Sequence, residues 1–159
     1  MERFEFEDFL DDELIFTEFE ADNKEELIFK LSKIIEEKGY VTKYYANDVL
    51  QREKKYPTAL PTEVMSVAIP HAESSDNVMT PSIVIAKLKY PISFIEMGSF
   101  DQKVDVNIVF LLAVKGSKTQ LKLLPKLISI FSNKEEMKKI QQANNSKQIF
   151  QLIKDAMQA

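Results

Sequence analysis

Residues 104–114 read Val-Asp-Val-Asn-Ile-Val-Phe-Leu-Leu-Ala-Val, apolar without a break from Ile108 onward. A strand that alternates polar and apolar side chains needs cover on one face only, whereas an unbroken apolar strand needs it on both. The run therefore predicts a buried strand inside a layered structure. Ser82-Ile-Val-Ile-Ala-Lys-Leu88 predicts a shorter strand before it, Val64 to Ile69 another that ends at Pro70-His71, and Glu13 to Phe19 a first one.

The remaining segments carry a helical period. Asp22-Asn23 can cap a helix with Leu27, Leu31, Ile34 and Ile35 on one side, stopped by Gly39. Thr42 opens a second helix through Tyr45 and Val49 to about Lys54, closed by Pro57 and Pro61. After Gly116, the positions Leu121, Leu124, Leu127, Ile128 and Phe131 predict an amphipathic helix, and shorter helices follow near 134–142 and 146–157. The expected order is β-α-α-β-β-β-α-α-α, an α/β fold built as a three-layer α/β/α sandwich around a mixed β-sheet. The expected connections between the last three strands are about 12–15 residues, long enough to suggest functional loops.

A chain of 159 residues with 45% hydrophobic content is expected to form a single domain over 1–159, with residues 1–12 as an acidic N-terminal extension. The absence of cysteine excludes a disulfide scaffold, a cysteine-ligated zinc or iron–sulfur site and a thiol nucleophile. One histidine, His71, excludes multi-histidine metal sites within the chain. No cofactor and no metal are expected. No apolar run approaches the roughly 18 residues needed to span a bilayer. The first residues are acidic, with neither a basic leader nor an apolar signal segment, so a cytoplasmic protein without membrane insertion is expected.

The net charge of −4 hides a polarity. Residues 1–26 hold twelve of the 25 acidic groups and only Arg3 and Lys24 of the basic ones, which leaves the rest of the chain with a balance of +6. Lysines such as Lys122, Lys126, Lys134, Lys138 and Lys139 are scattered among apolar residues, as on solvated helix faces, so nucleic-acid binding is not expected. A modest field that attracts anions is the sharper alternative.

Chemistry, if the chain performs any, narrows to His71. It follows the apolar Val67-Ala68-Ile69 and Pro70, which lacks an amide donor, so strand pairing is expected to stop there and release the imidazole at a sheet edge. A lone histidine is more often a surface or hydrogen-bonded structural residue than a catalytic one. No Gly-x-Ser-x-Gly elbow, phosphate-binding loop or Gly-x-Gly-x-x-Gly occurs. A single imidazole can still act as a nucleophile that holds a phosphoryl group, provided cations or donors meet its oxygens. Arg52 offers a planar donor fork, or else pairs with Asp48 or Glu53 on a helix surface. Gln120 could donate a hydrogen bond to an anion or to the imidazole, or could simply be polar.

Pro57-Thr-Ala-Leu-Pro-Thr-Glu63 followed by Val67-Ala-Ile-Pro-His-Ala72 resembles the enzyme IIA components of the bacterial sugar phosphotransferase system, of the fructose–mannitol type. Within that type it looks most like the galactitol-specific enzyme IIA proteins. The resemblance continues through Pro91-Ile-Ser-Phe94, Met97-Gly98, Val104-Asp-Val106, Phe110-Leu-Leu-Ala113 and Gln120-Leu-Lys-Leu-Leu124. It implies an α/β/α sandwich in which His71 takes a phosphoryl group from the histidine phosphocarrier protein HPr. The group then passes to the cysteine of a sugar-specific enzyme IIB, and the membrane enzyme IIC is a partner only indirectly. Arg52 matches the family arginine beside the phosphorylated histidine. Two positions depart from the pattern. Gln120 stands where many relatives carry a second histidine, and Ala59 replaces the usual glycine, which argues against a required positive φ there. The same domain type also serves as a phosphorylation-state sensor in nitrogen-related enzyme IIA proteins and in domains attached to transcriptional regulators. Met65, Met79, Ile95 and Met97 are candidates for partner docking, or for the core, since methionine adapts to more than one surface.

Overall fold

The structure, a computed structural model, describes residues 6–158, the side chains of Phe6, Glu7, Ser117 and Gln120 excepted. Five strands form one mixed sheet: β1 (Ile15–Phe19), β2 (Ala59–Leu60), β3 (Val67–Ala68), β4 (Ser82–Ile95) and β5 (Lys103–Ala113). Their order across the sheet is β1-β4-β5-β3-β2, with β1–β4 and β3–β5 parallel and β4–β5 and β2–β3 antiparallel. Five α-helices flank it: α1 (Lys24–Glu37), α2 (Tyr45–Lys55), α3 (Ser117–Phe131), α4 (Lys134–Gln142) and α5 (Ser146–Gln158).

Strand periodicity divides the core into two slabs. Ile83, Ile85, Ile108, Phe110 and Leu112 pack with Leu123, Leu127, Ile130, Met137, Ile149 and Ile153 from α3, α4 and α5. Their neighbours Val84, Ala86, Val109, Leu111 and Ala113 pack on the other face with Leu27, Ile28, Leu31, Tyr45 and Val49 from α1 and α2. The apolar 108–114 run is thus covered on both faces, as expected, and the architecture is an α/β/α sandwich. Phe110 and Phe131 meet across the first slab with centroids 5.0 Å apart in a tilted arrangement.

The helix signals work as read. The Asn23 side chain accepts from the Glu26 amide at 2.8 Å and caps α1. Gly39, at φ 77°, closes α1 with the paired bonds Gly39 N–H to Glu36 O and Tyr40 N–H to Ile35 O.

The strands differ in two places. Residues 59–60 form a further strand, which makes the order β-α-α-β-β-β-β-α-α-α. Ala59 pairs with Ala68 there, and among the described residues the only non-glycine with positive φ is Glu18, so the alanine replaces glycine without left-handed strain. β4 runs on to Ile95 and makes a hairpin with β5, so the long 89–103 connection expected is a short turn. The register shifts between Lys87 and Ile92, around Pro91, where a missing amide donor does least harm. Of the acidic 1–12 extension, residues 1–5 lie outside the described residues, 6–9 form a 3₁₀ turn, and Leu10 is buried in the α3–α5 slab.

Lys87, the one charged side chain in the apolar half of β4, donates to the carbonyls of Ile140, Gln141 and Ala143 at 3.1, 2.5 and 2.8 Å. These carbonyls lie at and just beyond the C-terminal end of α4, where Ile140 O also accepts from the Ala143 amide at 3.3 Å, so a cation adds donors and meets the negative end of the helix dipole. Lys87→Met should keep the fold but lower the urea unfolding free energy by about 1–3 kcal/mol. An unchanged midpoint would show that water replaces the ammonium at no cost.

Candidate functional site

Pro70 has no amide to give, yet its carbonyl accepts from the Leu112 amide at 3.0 Å, and His71 forms a parallel bridge with Leu112. Pairing with β5 therefore resumes past the proline instead of stopping there. His71 is held inside the sheet margin with only 3% of its surface exposed.

One ring nitrogen is committed. Nδ1 lies 2.8 Å from the Ile69 carbonyl, an acceptor, so Nδ1 carries the proton and donates. Nε2 is then a bare lone pair, and it is buried with no hydrogen-bond partner among the described residues. Burial is the main cause that pushes the imidazole down from its ordinary 6.5 to about 4, with the Arg52 charge acting in the same direction and the Ile69 bond opposing both.

A cleft of about 680 Å³ opens beside the ring, lined by both His71 and Arg52. Arg52, half-buried in the last turn of α2, donates from Nη1 to the Tyr56 carbonyl at 3.0 Å and lies over the Tyr56 ring at 5.4 Å from its centroid. Lys24, Lys54 and Lys55 add further positive charge to the lining. Of the basic residues beyond position 26, Arg52, Lys54 and Lys55 therefore stand in this lining, together with the acidic Glu53. Met97, Phe100, Leu124 and Ile128 supply an apolar wall, and Phe100 is fully exposed.

Of the docking candidates, Met97 and Ile95 line this cleft. Met65 is buried core, and Met79 is exposed on the segment after the histidine, outside the cleft lining. Gln120 lies in the first turn of α3, but its side chain is outside the described residues.

One neighbour was read only as a surface partner of Arg52. Glu53 is 4% exposed and its carboxylate accepts from the Thr58 amide at 2.8 Å and the Thr58 hydroxyl at 2.7 Å. The Thr58 oxygen accepts in turn from the Ile69 amide at 3.2 Å. The signal was available: Tyr45, Val49 and Glu53 share a four-residue spacing and so one helix face, and the first two are buried.

The unfolded chain binds a proton at His71 below pH 6.5, whereas the folded chain resists it until about 4. The neutral-imidazole contribution is thus complete above pH 6.5 and is lost as pH falls towards 4, amounting to roughly 3 kcal/mol at most. NMR titration of the lone imidazole should give a midpoint near 4, and His71→Gln should flatten stability over that window. A midpoint at or above 6.5 would contradict the burial.

Comparison with known proteins places the chain. The family model described as "Phosphoenolpyruvate-dependent sugar phosphotransferase system, EIIA 2" matches residues 8–156. Transcriptional regulator ManR of Bacillus subtilis (strain 168) is 39% identical over 102 residues, which span 64% of this chain and 14% of that protein. Among solved structures, enzyme IIAMTL of Escherichia coli, determined in complex with phosphorylated enzyme IIBMTL, aligns with TM-score 0.74 at 23% identity over 91% of this chain and 96% of that one. Nitrogen regulatory protein IIA-Ntr of Neisseria meningitidis aligns with TM-score 0.75 at 22% identity over 92% of this chain and 97% of its own. Both share the fold. With nearly its whole length matched, the chain belongs to the EIIA 2 family of the phosphoenolpyruvate-dependent sugar phosphotransferase system.

Proposed function

We propose that the protein is a phosphoryl carrier that accepts phosphate on Nε2 of His71 from the histidine phosphocarrier protein HPr and passes it to a sugar-specific enzyme IIB. The observation that carries this reading is the state of the ring: Nδ1–H engaged with Ile69 O, and a neutral Nε2 that has no hydrogen-bond partner among the described residues, on a residue that lines a cleft with Arg52 and three lysines. The Nε2 lone pair attacks phosphorus; the new N–P bond forms as the donor's P–N bond breaks and its electron pair returns to the donor imidazole. The Nδ1 proton stays in place throughout. When the IIB thiolate attacks phosphorus, the pair returns to Nε2, so the leaving group is a neutral imidazole rather than an imidazolate.

Arg52 stabilises the charge on the phosphoryl oxygens, for which a guanidinium has five donors and needs only one for Tyr56. For Gln120 the proposed role is limited to hydrogen-bond support, since an amide can donate but cannot carry charge. The apolar wall of Met97, Phe100 and Ile128 suits a short-lived protein contact around the reacting atom. The resemblance of the 57–72 segment to galactitol-specific proteins supports galactitol uptake as the pathway served.

The match to ManR favours a second reading: the same phosphorylated histidine in a regulatory sensor that acts through protein binding. Onward transfer separates the two, since a sensor would hold the phosphate in the presence of IIB.

Intact mass after incubation with phosphoenolpyruvate, enzyme I and HPr should show an acid-labile gain of one phosphate, absent in His71→Ala. No gain in the wild type would overturn the carrier role. Arg52→Ala should slow transfer by about 10²–10³-fold, by analogy with the loss of one transition-state donor, and Gln120→Ala by less. Ile128→Glu should raise the partner concentration needed for half-maximal rate while the maximal rate changes little; equal loss in both would remove the docking role.

A further inference from the structure

A buried carboxylate close to a phosphoryl site is at first sight misplaced, since its charge repels the group the site has to hold. Glu53 stands in that position, on the same helix turn as Arg52 and in the lining of the His71 cleft. Its burial raises its proton affinity, while the Thr58 hydrogen bonds and the charges of Lys24 and Arg52 act against that.

The hydrogen bonds from Glu53 run in one direction. Both carboxylate oxygens accept from Thr58, Oε2 from the amide and Oε1 from the hydroxyl. With its proton committed to Glu53, the Thr58 oxygen has only lone pairs left to offer, and one of them takes the Ile69 amide. Ile69 is the residue whose carbonyl takes the Nδ1 proton of His71. It is anchored on its amide side by Thr58 and is followed by Pro70, whose φ is fixed by its ring. The carbonyl therefore has little freedom to swing from the imidazole.

We propose that Glu53 is a positioning residue for His71: acting through Thr58 and Ile69, it holds the imidazole as the Nδ1–H tautomer and leaves Nε2 unprotonated. The inference rests on the reading of His71 as the phosphoryl acceptor. It assigns a role to a residue that touches neither the phosphoryl group nor the ring. A carboxylate serves better than an amide there because it offers two acceptors. A glutamine would present one acceptor and one donor; the donor end would meet the Thr58 hydroxyl and leave its proton without a partner in a buried site.

The test exploits the single imidazole in the chain, which gives one unambiguous pair of ring-nitrogen signals in long-range ¹H–¹⁵N spectra. The proteins are the full chain, Glu53→Gln, Thr58→Val and the conservative Thr58→Ser, with backbone amide spectra to check the fold. The expected result is an Nδ1–H tautomer in the wild type and in Thr58→Ser, and a mixed or reversed tautomer in Thr58→Val and Glu53→Gln. The rate of phosphate gain should fall at least tenfold in the two latter variants and be restored in Thr58→Ser. Should Glu53→Gln fail to fold, Thr58→Val interrupts the same chain without touching the carboxylate. Unchanged tautomer and rate in a folded Thr58→Val or Glu53→Gln overturns the positioning role while leaving the carrier role intact. A tautomer shift in a protein that never takes up phosphate supports the positioning role and overturns the carrier role instead.

Discussion

The site depends on the parallel pairing of the 67–71 segment with β5. Val67, Ala68 and His71 lie opposite Ile108, Val109 and Leu112, and the Leu112 amide reaches across to the Pro70 carbonyl. Leu112 is itself fixed on its other side, since the fully buried Tyr45 donates its hydroxyl proton to the Leu112 carbonyl at 2.7 Å. The rigid centre of the sheet and the first turn of α2 thus set the height of the histidine before any local bond is considered. A site mounted on sheet and helix keeps its geometry better than one mounted on loops, and group transfer is sensitive to errors of an ångström.

On that frame the electrostatics are divided between two places. The imidazole is taken out of water and kept neutral, which a nucleophile needs. Under the proposed carrier role, the positive charge that a phosphoryl group needs would come from the half-buried Arg52 and from Lys24, Lys54 and Lys55 in the cleft lining. Moving the charge onto the ring would stabilise the phosphate oxygens but remove the attacking lone pair. Placing the two functions on different side chains would resolve that conflict.

Much of this was legible in the sequence, and the gaps have physical reasons. Caps and periodicity located α1, α2 and α3, and the unbroken apolar run located β5. The two-residue β2 escaped notice because Pro57 and Pro61 bracket it and read as helix stops, although proline is tolerated at a strand edge. The second half of β4 escaped because Lys89-Tyr90-Pro91 resembles a turn, while the buried alternation of Ile92 and Phe94 continues the strand. The burial of His71 is not legible from the sequence, because Pro70 announces the donor it lacks and not the carbonyl acceptor it keeps. Glu53 was passed over because a charged residue beside an arginine on a helix invites a solvent-exposed reading, even when its spacing from Tyr45 and Val49 points inward.

The depth of Nε2 also bears on time. Water is a competing acceptor for any phosphoryl group held on nitrogen, and it is present at far higher concentration than any protein. If His71 carries the phosphoryl group as proposed, a ring nitrogen that is almost inaccessible, on a residue beside the apolar wall of Met97, Phe100 and Ile128, would give water few orientations from which to attack in line. A partner protein that covers the same wall brings its own nucleophile and removes the remaining solvent in one step. Burial of one nitrogen would then set the ratio between useful transfer and spontaneous hydrolysis, and so the lifetime over which the phosphorylated chain can wait.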